Sequence, residues 1–370
     1  MDETAPGIPA SQSPWLRPIV RTPAYDTLAI CGVLPLTLIA WLGLGHHALL
    51  LTIVSIGSTM LAGHFSAVLL RRWRWTCVAP SPRYLLFLGI VACLLLRPTD
   101  TLLRSLVTGI LTGVASLWVG RYTSIRIHPA VLAVAITWPM ASAWTTPEPT
   151  TANTASVLRV PDWPDPIATG EPILEPRHST PLVRFVLTEI EQIAAQPQRL
   201  PRMILDGTLP PLEPVLWNPQ PPSLGMVSIP AILLASAWLL RWRVLHWRVP
   251  VYGLLAASAV VALSPGHGDT WTVLEAFIPL GTGALATWIA YVLLATPLPL
   301  MTAIVAGYAM PISIPGRAIY AAVIGVTGTI AMVITQQPEG LLLGVIIAGL
   351  LSRPLDHVRS SPFVPGRLVD

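Results

Sequence analysis

The chain has no lysine: all 22 of its basic residues are arginine, set singly or in short groups at the ends of apolar runs. They form no continuous basic face, which excludes nucleic acid as a partner. Cysteine is scarce as well. Cys31, Cys77 and Cys93 stand alone with no CxxC pair, which excludes a zinc site or a cysteine-held iron–sulfur cluster within this chain alone. They read as small apolar fillers near or within helices. Charged residues make up only 11% of the 370, against 53% hydrophobic, with a mean hydropathy of +0.65. That balance excludes an ordinary soluble domain. There is also no P-loop, HExxH, GxSxG or strand-embedded Rossmann fingerprint, so no catalytic residue and no metal ligand is assigned.

What the chain does have is apolar runs long enough to cross a bilayer, for which about 20 residues are needed, or fewer where neighbours bury the helix. The first block holds spans over Thr27–Gly45, Ala48–Leu70, Tyr84–Leu96, Leu102–Gly120 and Pro129–Trp144. The second holds Met226–Leu240, Val249–Leu263, Val273–Ala295, Ala318–Thr335 and Gly340–Leu351. A further piece, Leu298–Pro311, is too short and too rich in Pro and Gly for a regular span. It reads as a re-entrant or broken helix, tolerated only where protein or a cavity covers the freed backbone groups. The fold class expected is thus an all-α polytopic membrane protein of about ten transmembrane helices. Its parts are an N-terminal segment (1–26), a first five-helix repeat (27–144), a Pro-rich loop with an amphipathic helix (145–225), a second five-helix repeat (226–352) and a tail (353–370). The polar, Pro-containing segment before Thr27 has no cleavable signal pattern, so the first helix is expected to double as the insertion signal.

Arginine placement sets the expected orientation, because cytoplasmic loops hold the excess positive charge. With the N-terminus inside, the inner loops carry Arg71, Arg72, Arg74 and Arg83, then Arg121–His128, then Arg241–Arg248; the tail adds Arg353, Arg359 and Arg367. Ser264–Thr272 has no arginine and falls outside. The insert from Thr145 to Gly225 has nine acidic residues against five arginines and also falls outside. Both termini are therefore expected in the cytoplasm. Five spans is an odd number, so the second block must be inverted relative to the first, an arrangement that places sites near the midplane.

Several stretches then carry a resemblance. Ser13-Pro14-Trp15-Leu16-Arg17, Ile127-His128-Pro129-Ala130, Pro222-Ser223-Leu224-Gly225, His246-Trp247-Arg248-Val249-Pro250, Pro315-Gly316-Arg317-Ala318-Ile319-Tyr320, Pro338-Glu339-Gly340 and Pro354-Leu355-Asp356 occur in one order over nearly the whole chain. In that order the chain resembles, as a divergent member, the RnfD/NqrB family of membrane proteins from the Rnf electron-transport complex and the sodium-translocating NADH:quinone oxidoreductase. The resemblance implies a multi-pass subunit of the bacterial inner membrane that holds flavin and relays electrons, with sodium or proton movement coupled to the redox step. It also implies other subunits of such a complex as partners, beside the lipid bilayer.

In such relatives an FMN is attached through a phosphodiester to a Thr in a motif Asp-x-x-Ser-Gly-Ala-Thr followed by Pro-Leu. The matching stretch here is Leu174-Glu175-Pro176-Arg177-His178-Ser179-Thr180-Pro181-Leu182. It keeps Thr-Pro-Leu and a small residue before it, while Leu174, Arg177 and His178 replace Asp, Ser and Gly. The resemblance makes Thr180 the candidate covalent acceptor, with Ser179 beside it. An alternative alignment on Asp165–Gly170 puts Glu171 on the acceptor position. Thr180 also reads as a cap for the amphipathic run Pro181–Ala195. Ser223, Gly225 and Ser313 are further candidate contacts for flavin, including a second, noncovalent one between the repeats. Polar and Gly-rich segments at helix breaks are reduced elsewhere, as at Ser81-Pro82-Arg83, Tyr122–Arg126 and Met310–Pro315, which argues for weaker flavin binding.

Two ionisable groups at membrane depth, Glu275 and His64, are ion-path candidates. Against that role, Glu275 also reads as a solvated helix end and His64 as a hydrogen-bonded bundle residue. His46-His47 sits in a short outer turn with no carboxylate or cysteine to complete a metal site. Trp beside Arg, as in Arg72-Trp73-Arg74-Trp75, suits interfacial anchoring. Two functional classes remain: a flavin-holding electron-transfer and ion-translocation subunit, non-autonomous as an enzyme, and a flavin-free transporter, channel or scaffold built on the same bundle.

Overall fold

A computed structural model describes residues 23–72, 80–118, 126–139, 223–264, 298–305, 313–335 and 339–356, with single or paired positions at 216, 221, 272, 274–275, 285–286, 289–290, 293–294 and 310–311. Among these residues there are helices and turns and no β-strand. The helices are α1 (Pro23–Leu44), α2 (His46–Arg72), α3 (Pro82–Leu94), α4 (Leu102–Trp118), α5 (Pro129–Thr137), α6 (Ile229–Arg241), α7 (Arg248–Leu263), α8 (Ile314–Thr335) and α9 (Gly340–Asp356). Three contain segments long and apolar enough to span a membrane by themselves: Asp26–Leu44, His46–Arg72 and Ile314–Met332. Four others, α3, α4, α6 and α7, are shorter and apolar, as packed spans are allowed to be. The Thr145–Gly225 insert falls almost wholly outside the described residues, as do Ser179 and Thr180.

Local chemistry explains the starts. Pro82 opens α3 behind Ser81, whose hydroxyl accepts from the Tyr84 N–H at 3.1 Å; Ser228 does the same for Ala231 ahead of α6, at 3.3 Å. Proline in the first turn loses no helical bond, and the serine satisfies a donor that would otherwise be orphaned. The α6 stop is unusual. Arg243 takes φ 56°, the position that glycine usually fills, with its N–H on Leu240 O and the Val244 N–H on Leu239 O. A side chain there costs on the order of 1 kcal/mol.

The eighth span is helical at positions 274–275, 285–286, 289–290 and 293–294 and otherwise lies outside the described residues. Leu298–Leu300 is a single helical turn that widens into a π turn over Met301–Val305. Leu298, Leu300, Met301, Ile304 and Val305 are all buried, so the break is covered by protein as a broken helix in a membrane requires.

Helix pairing repeats between the two blocks. In the first, α2 packs on α4 and α4 on α5; in the second, α7 packs on α8 and α8 on α9. Contacts of α1 with α6 and of α5 with α9 join the blocks. Small residues set the close approaches, as expected where apolar lipid offers no hydrophobic drive between helices. A Cβ on Gly113 would lie 2.5 Å from Thr59 O and 2.7 Å from Gly63 N; one on Gly344 would lie 2.6 Å from Gly328 N. Outward, large apolar side chains such as Ile334 (76% exposed) and Phe65 (70%) are left to face lipid. Gly113→Ala is therefore expected to force α2 and α4 apart and cost roughly 1–3 kcal/mol, read as a lower midpoint in an SDS titration of the protein in mixed micelles.

Cross-chain bonds identify the two ends of the bundle. One end joins the α1–α2 turn, the α3–α4 loop, the approach to α6 and the start of α9, through His47 with Asp100, Leu96 with Leu224, and Arg97 with Glu339. The opposite end joins Asp26 to Ser81, Leu28 to Trp238, Arg126 to Asp356 and Ser313 to Leu355. Arg71, Arg72, Arg83, Arg126, the Arg241–Arg248 turn and Arg353 all fall at this second end, against Asp26 and Asp356.

Candidate functional site

Four charged side chains are buried together at the first end. Arg97 and Asp100 belong to the loop that links α3 to α4, Arg104 lies in the first turn of α4, and Glu339 immediately precedes α9. Arg104 is 1% exposed and Asp100 0%, with Arg97 and Glu339 at 6% each. The loop folds on Asp100. Its carboxylate accepts the Arg97 N–H at 2.8 Å on one oxygen and the Arg104 guanidinium on the other, while its own N–H bonds to the Arg97 carbonyl at 3.2 Å. His47 donates to the Asp100 carbonyl at 3.0 Å and so pins the α1–α2 turn to the same loop. Thr101 begins α4 by accepting the Arg104 N–H at 3.3 Å.

Arg97 reaches out of the first block to pair with Glu339 of the second. The four formal charges cancel, as burial demands, since an unpaired ion carries a desolvation penalty of several kcal/mol. Burial pushes the Asp100 carboxyl up, opposed by the Arg104 charge and the Arg97 N–H. Two atoms of the cluster, Arg104 Nε and Glu339 Oε2, are buried with no hydrogen-bond partner among the described residues.

From this cluster a seam of hydroxyls runs along α4. Arg104, Ser105, Thr108, Thr112 and Ser116 are all buried, with Gly109 and Gly113 on the same face. The four-residue spacing keeps them on one side of the helix. Facing them are Ser55, Ser58 and Thr59 of α2 and Thr137 of α5. Their protons are largely spent on backbone: Ser55 donates to Gly89 O at 2.9 Å, Ser105 to Leu51 O at 2.8 Å, and Thr112 to Thr108 O at 2.8 Å. Thr59 and Ser116 likewise bond to carbonyls of their own helices at 2.7 Å, and Thr108 meets Thr137 at 3.1 Å. A hydroxyl that has donated keeps its oxygen lone pairs, so the seam is a column of acceptors inside an apolar bundle.

The candidate residues from the sequence are not brought to one place. Ser223 and Gly225 lie at the first end, where Leu224 N–H bonds to Leu96 O at 2.8 Å. Gly225 is filled rather than open, since a Cβ there would meet Leu300 at 2.6 Å and Leu94 O at 3.2 Å. Ser223 is buried, and its hydroxyl has no partner among the described residues. Ser313 is at the opposite end, donating to Leu355 O at 2.7 Å and accepting the Gly316 N–H at 3.1 Å. The 17 residues of α9 separate the two places, about 25 Å at 1.5 Å per residue. Of these three, Ser223 alone keeps a hydroxyl to offer a flavin polar atom, while Ser313 is spent on its cap. His64 is exposed on α2, next to Phe65. Glu275 is exposed, with its N–H on Thr272 Oγ1 at 3.3 Å.

Sequence reasoning misses Arg97, Asp100, Arg104 and Glu339 as site residues. A signal for one of them exists: Arg104 lies inside an expected span, where an ionisable residue is a functional hypothesis by default.

A multi-pass membrane protein, helical throughout its described elements and with buried ions at one end of its bundle, is the class these observations define. The model of the NQR2, RnfD, RnfE family matches residues 10–363, and the chain belongs to that family of membrane subunits of Rnf- and Nqr-type complexes. No curated protein sequence matches it.

Proposed function

We propose that this chain is the membrane subunit of an ion-translocating electron-transport complex, holding flavin and relaying electrons coupled to Na⁺ or H⁺ movement. The observation that carries the coupling is the neutral Arg97–Asp100–Arg104–Glu339 cluster at the head of the hydroxyl seam. Hard cations take oxygen ligands, and the seam supplies hydroxyl oxygens whose protons are already committed to carbonyls. Cancellation of the arginine charges leaves its mouth without net repulsion of a cation.

The repeated pairings, α2–α4–α5 and α7–α8–α9, support two five-helix repeats inverted relative to each other. Collection of arginine at the second end supports the cytoplasm on that side, both termini inside and the long insert outside. Flavin, when bound, supplies the one- and two-electron chemistry; the chain supplies position and dielectric. Thr180 is the proposed covalent acceptor for FMN, with Ser179 beside it, and Ser223 is the described hydroxyl open to a noncovalent flavin.

The test is in-gel flavin fluorescence of the protein co-expressed with its neighbouring subunits and a flavin transferase, with mass mapping of the Arg177–Arg184 peptide. An FMN adduct on Thr180, lost in Thr180→Ala, is the expected result. A folded, assembled protein without flavin favours the second reading, a flavin-free transporter, channel or scaffold, for which the replacement of Asp, Ser and Gly by Leu174, Arg177 and His178 speaks.

A further inference from the structure

The turn between α6 and α7 has a charge balance unlike the rest of the bundle. Arg241, Arg243 and Arg248 fall within eight residues, and no Asp or Glu occurs between Glu213 and Asp269. None of the three ion pairs found among the described residues involves them. Two of the guanidinium groups rest on rings instead: Arg241 lies 5.6 Å from the Trp242 centroid and Arg248 5.5 Å from that of Trp247. Trp247 is itself stacked on Tyr252 at 6.4 Å. Trp242, Trp247 and Tyr252 are 46%, 51% and 39% exposed, the placement of rings at a membrane–water boundary.

Arg243 adds a second, independent observation. It is exposed, and it occupies the left-handed position that glycine would fill without strain. The folded turn gains nothing from a side chain there, since the Schellman bonds use only backbone and the apolar residues beside it, Leu239 and Val244, are already buried. Strain held at a solvent-facing arginine points to a ligand outside the chain. Arg248 Nε is also buried without a hydrogen-bond partner among the described residues.

We propose that the Arg241–Arg248 turn is a binding site for the phosphate of an anionic phospholipid in the leaflet that meets this end of the bundle. The three guanidinium groups supply donors for phosphate oxygens, in the charge-assisted geometry that arginine favours. The tryptophans hold the turn at headgroup depth and flank the acyl chains. The neutral tendency of His246 fits the same positive field: burial lowers its pKa first, and Arg317 and Arg248 lower it further. The site depends neither on flavin nor on the assignment of the inner face.

Full-length protein, stripped of lipid in detergent, would be titrated with phosphatidylglycerol, phosphatidylcholine and inorganic phosphate and followed by native mass spectrometry. Phosphatidylglycerol is expected to bind at least tenfold more tightly than phosphatidylcholine. Arg243→Gly is expected to weaken phosphatidylglycerol about fivefold, and Arg241→Ala with Arg243→Gly about 20-fold, from roughly one charge's worth of surface attraction each. Arg243→Gly relieves the backbone strain, so its melting temperature should not fall. Equal affinity for the two lipids, or an unchanged affinity in Arg243→Gly, overturns the proposal. So does displacement of phosphatidylglycerol by millimolar inorganic phosphate, which would make this a soluble-anion site.

Discussion

Asp100→Ala is expected to destabilise the protein by about 3–5 kcal/mol, the cost of leaving a buried charge without its partner. The variant strands the Arg104 guanidinium at 1% exposure and removes the acceptor for the Arg97 N–H, so the α3–α4 loop loses both its ion pair and its turn. Arg104→Ala should cost a similar amount, by stranding Asp100. The informative variant is the double one. Asp100→Leu with Arg104→Met removes both charges, and the summed losses of Asp100→Leu and Arg104→Met made singly should greatly exceed the double loss, because well-packed apolar residues replace buried ion pairs at little cost. SDS titrations of the four proteins in the same micelles measure this directly. Additive losses would mean that the two side chains do not act as a pair.

Glu339→Ala is the second large effect, again about 3–5 kcal/mol. It differs in where the loss falls. Arg97 and Glu339 are 242 residues apart and belong to different blocks, so their pairing ties one half of the bundle to the other. The Asp100 variants should loosen the first block, whereas Glu339→Ala should loosen the seam between blocks and leave the α2–α4 contact intact. Hydrogen exchange read by mass spectrometry separates these outcomes: faster exchange at 95–101 and 223–228 with unchanged α2 and α4 is expected. Uniform acceleration through the first block would refute the bridging role. Arg97→Met with Glu339→Met should recover most of the loss.

The helices are legible in the sequence because the bilayer imposes a length, and because Pro82, Pro129 and Pro230 with Ser81 and Ser228 mark starts. Ends are less so. The predicted last span ends at Leu351, whereas α9 continues through Pro354 to Asp356; the predicted fifth span holds α5 to Thr137 and a further turn at 138–139, and its expected end at Trp144 lies outside the described residues. Proline and aspartate look like a stop, yet the largely buried Asp356 carboxylate gains Arg126 at 2.8 Å. The ion cluster is illegible for a different reason. Arg97 and Asp100 stand in what sequence presents as a solvated loop, and Glu339 in a Pro-Glu-Gly turn. Their burial comes from tertiary contacts, His47 of the α1–α2 turn on the Asp100 carbonyl and Glu339 ahead of α9 on Arg97. The hydroxyl seam, by contrast, is written in the four-residue spacing of Arg104, Thr108, Thr112 and Ser116, which an apolar-run ruler does not register. Ser223 and Ser313 stand out through motifs along the chain, and motif order carries no information about which end of a bundle a residue reaches.

The Arg97–Glu339 contact also sets a clock. At a synthesis rate of about 5–20 residues per second, the 242 residues between the two take roughly 10–50 s to emerge. Asp100 and Arg104, four residues apart, meet as soon as their loop is made, so the first block can close its own ion pair while still attached to the ribosome. Arg97 has to wait at the aqueous edge until almost the whole polypeptide has been inserted, and its burial is then one of the last events of biogenesis.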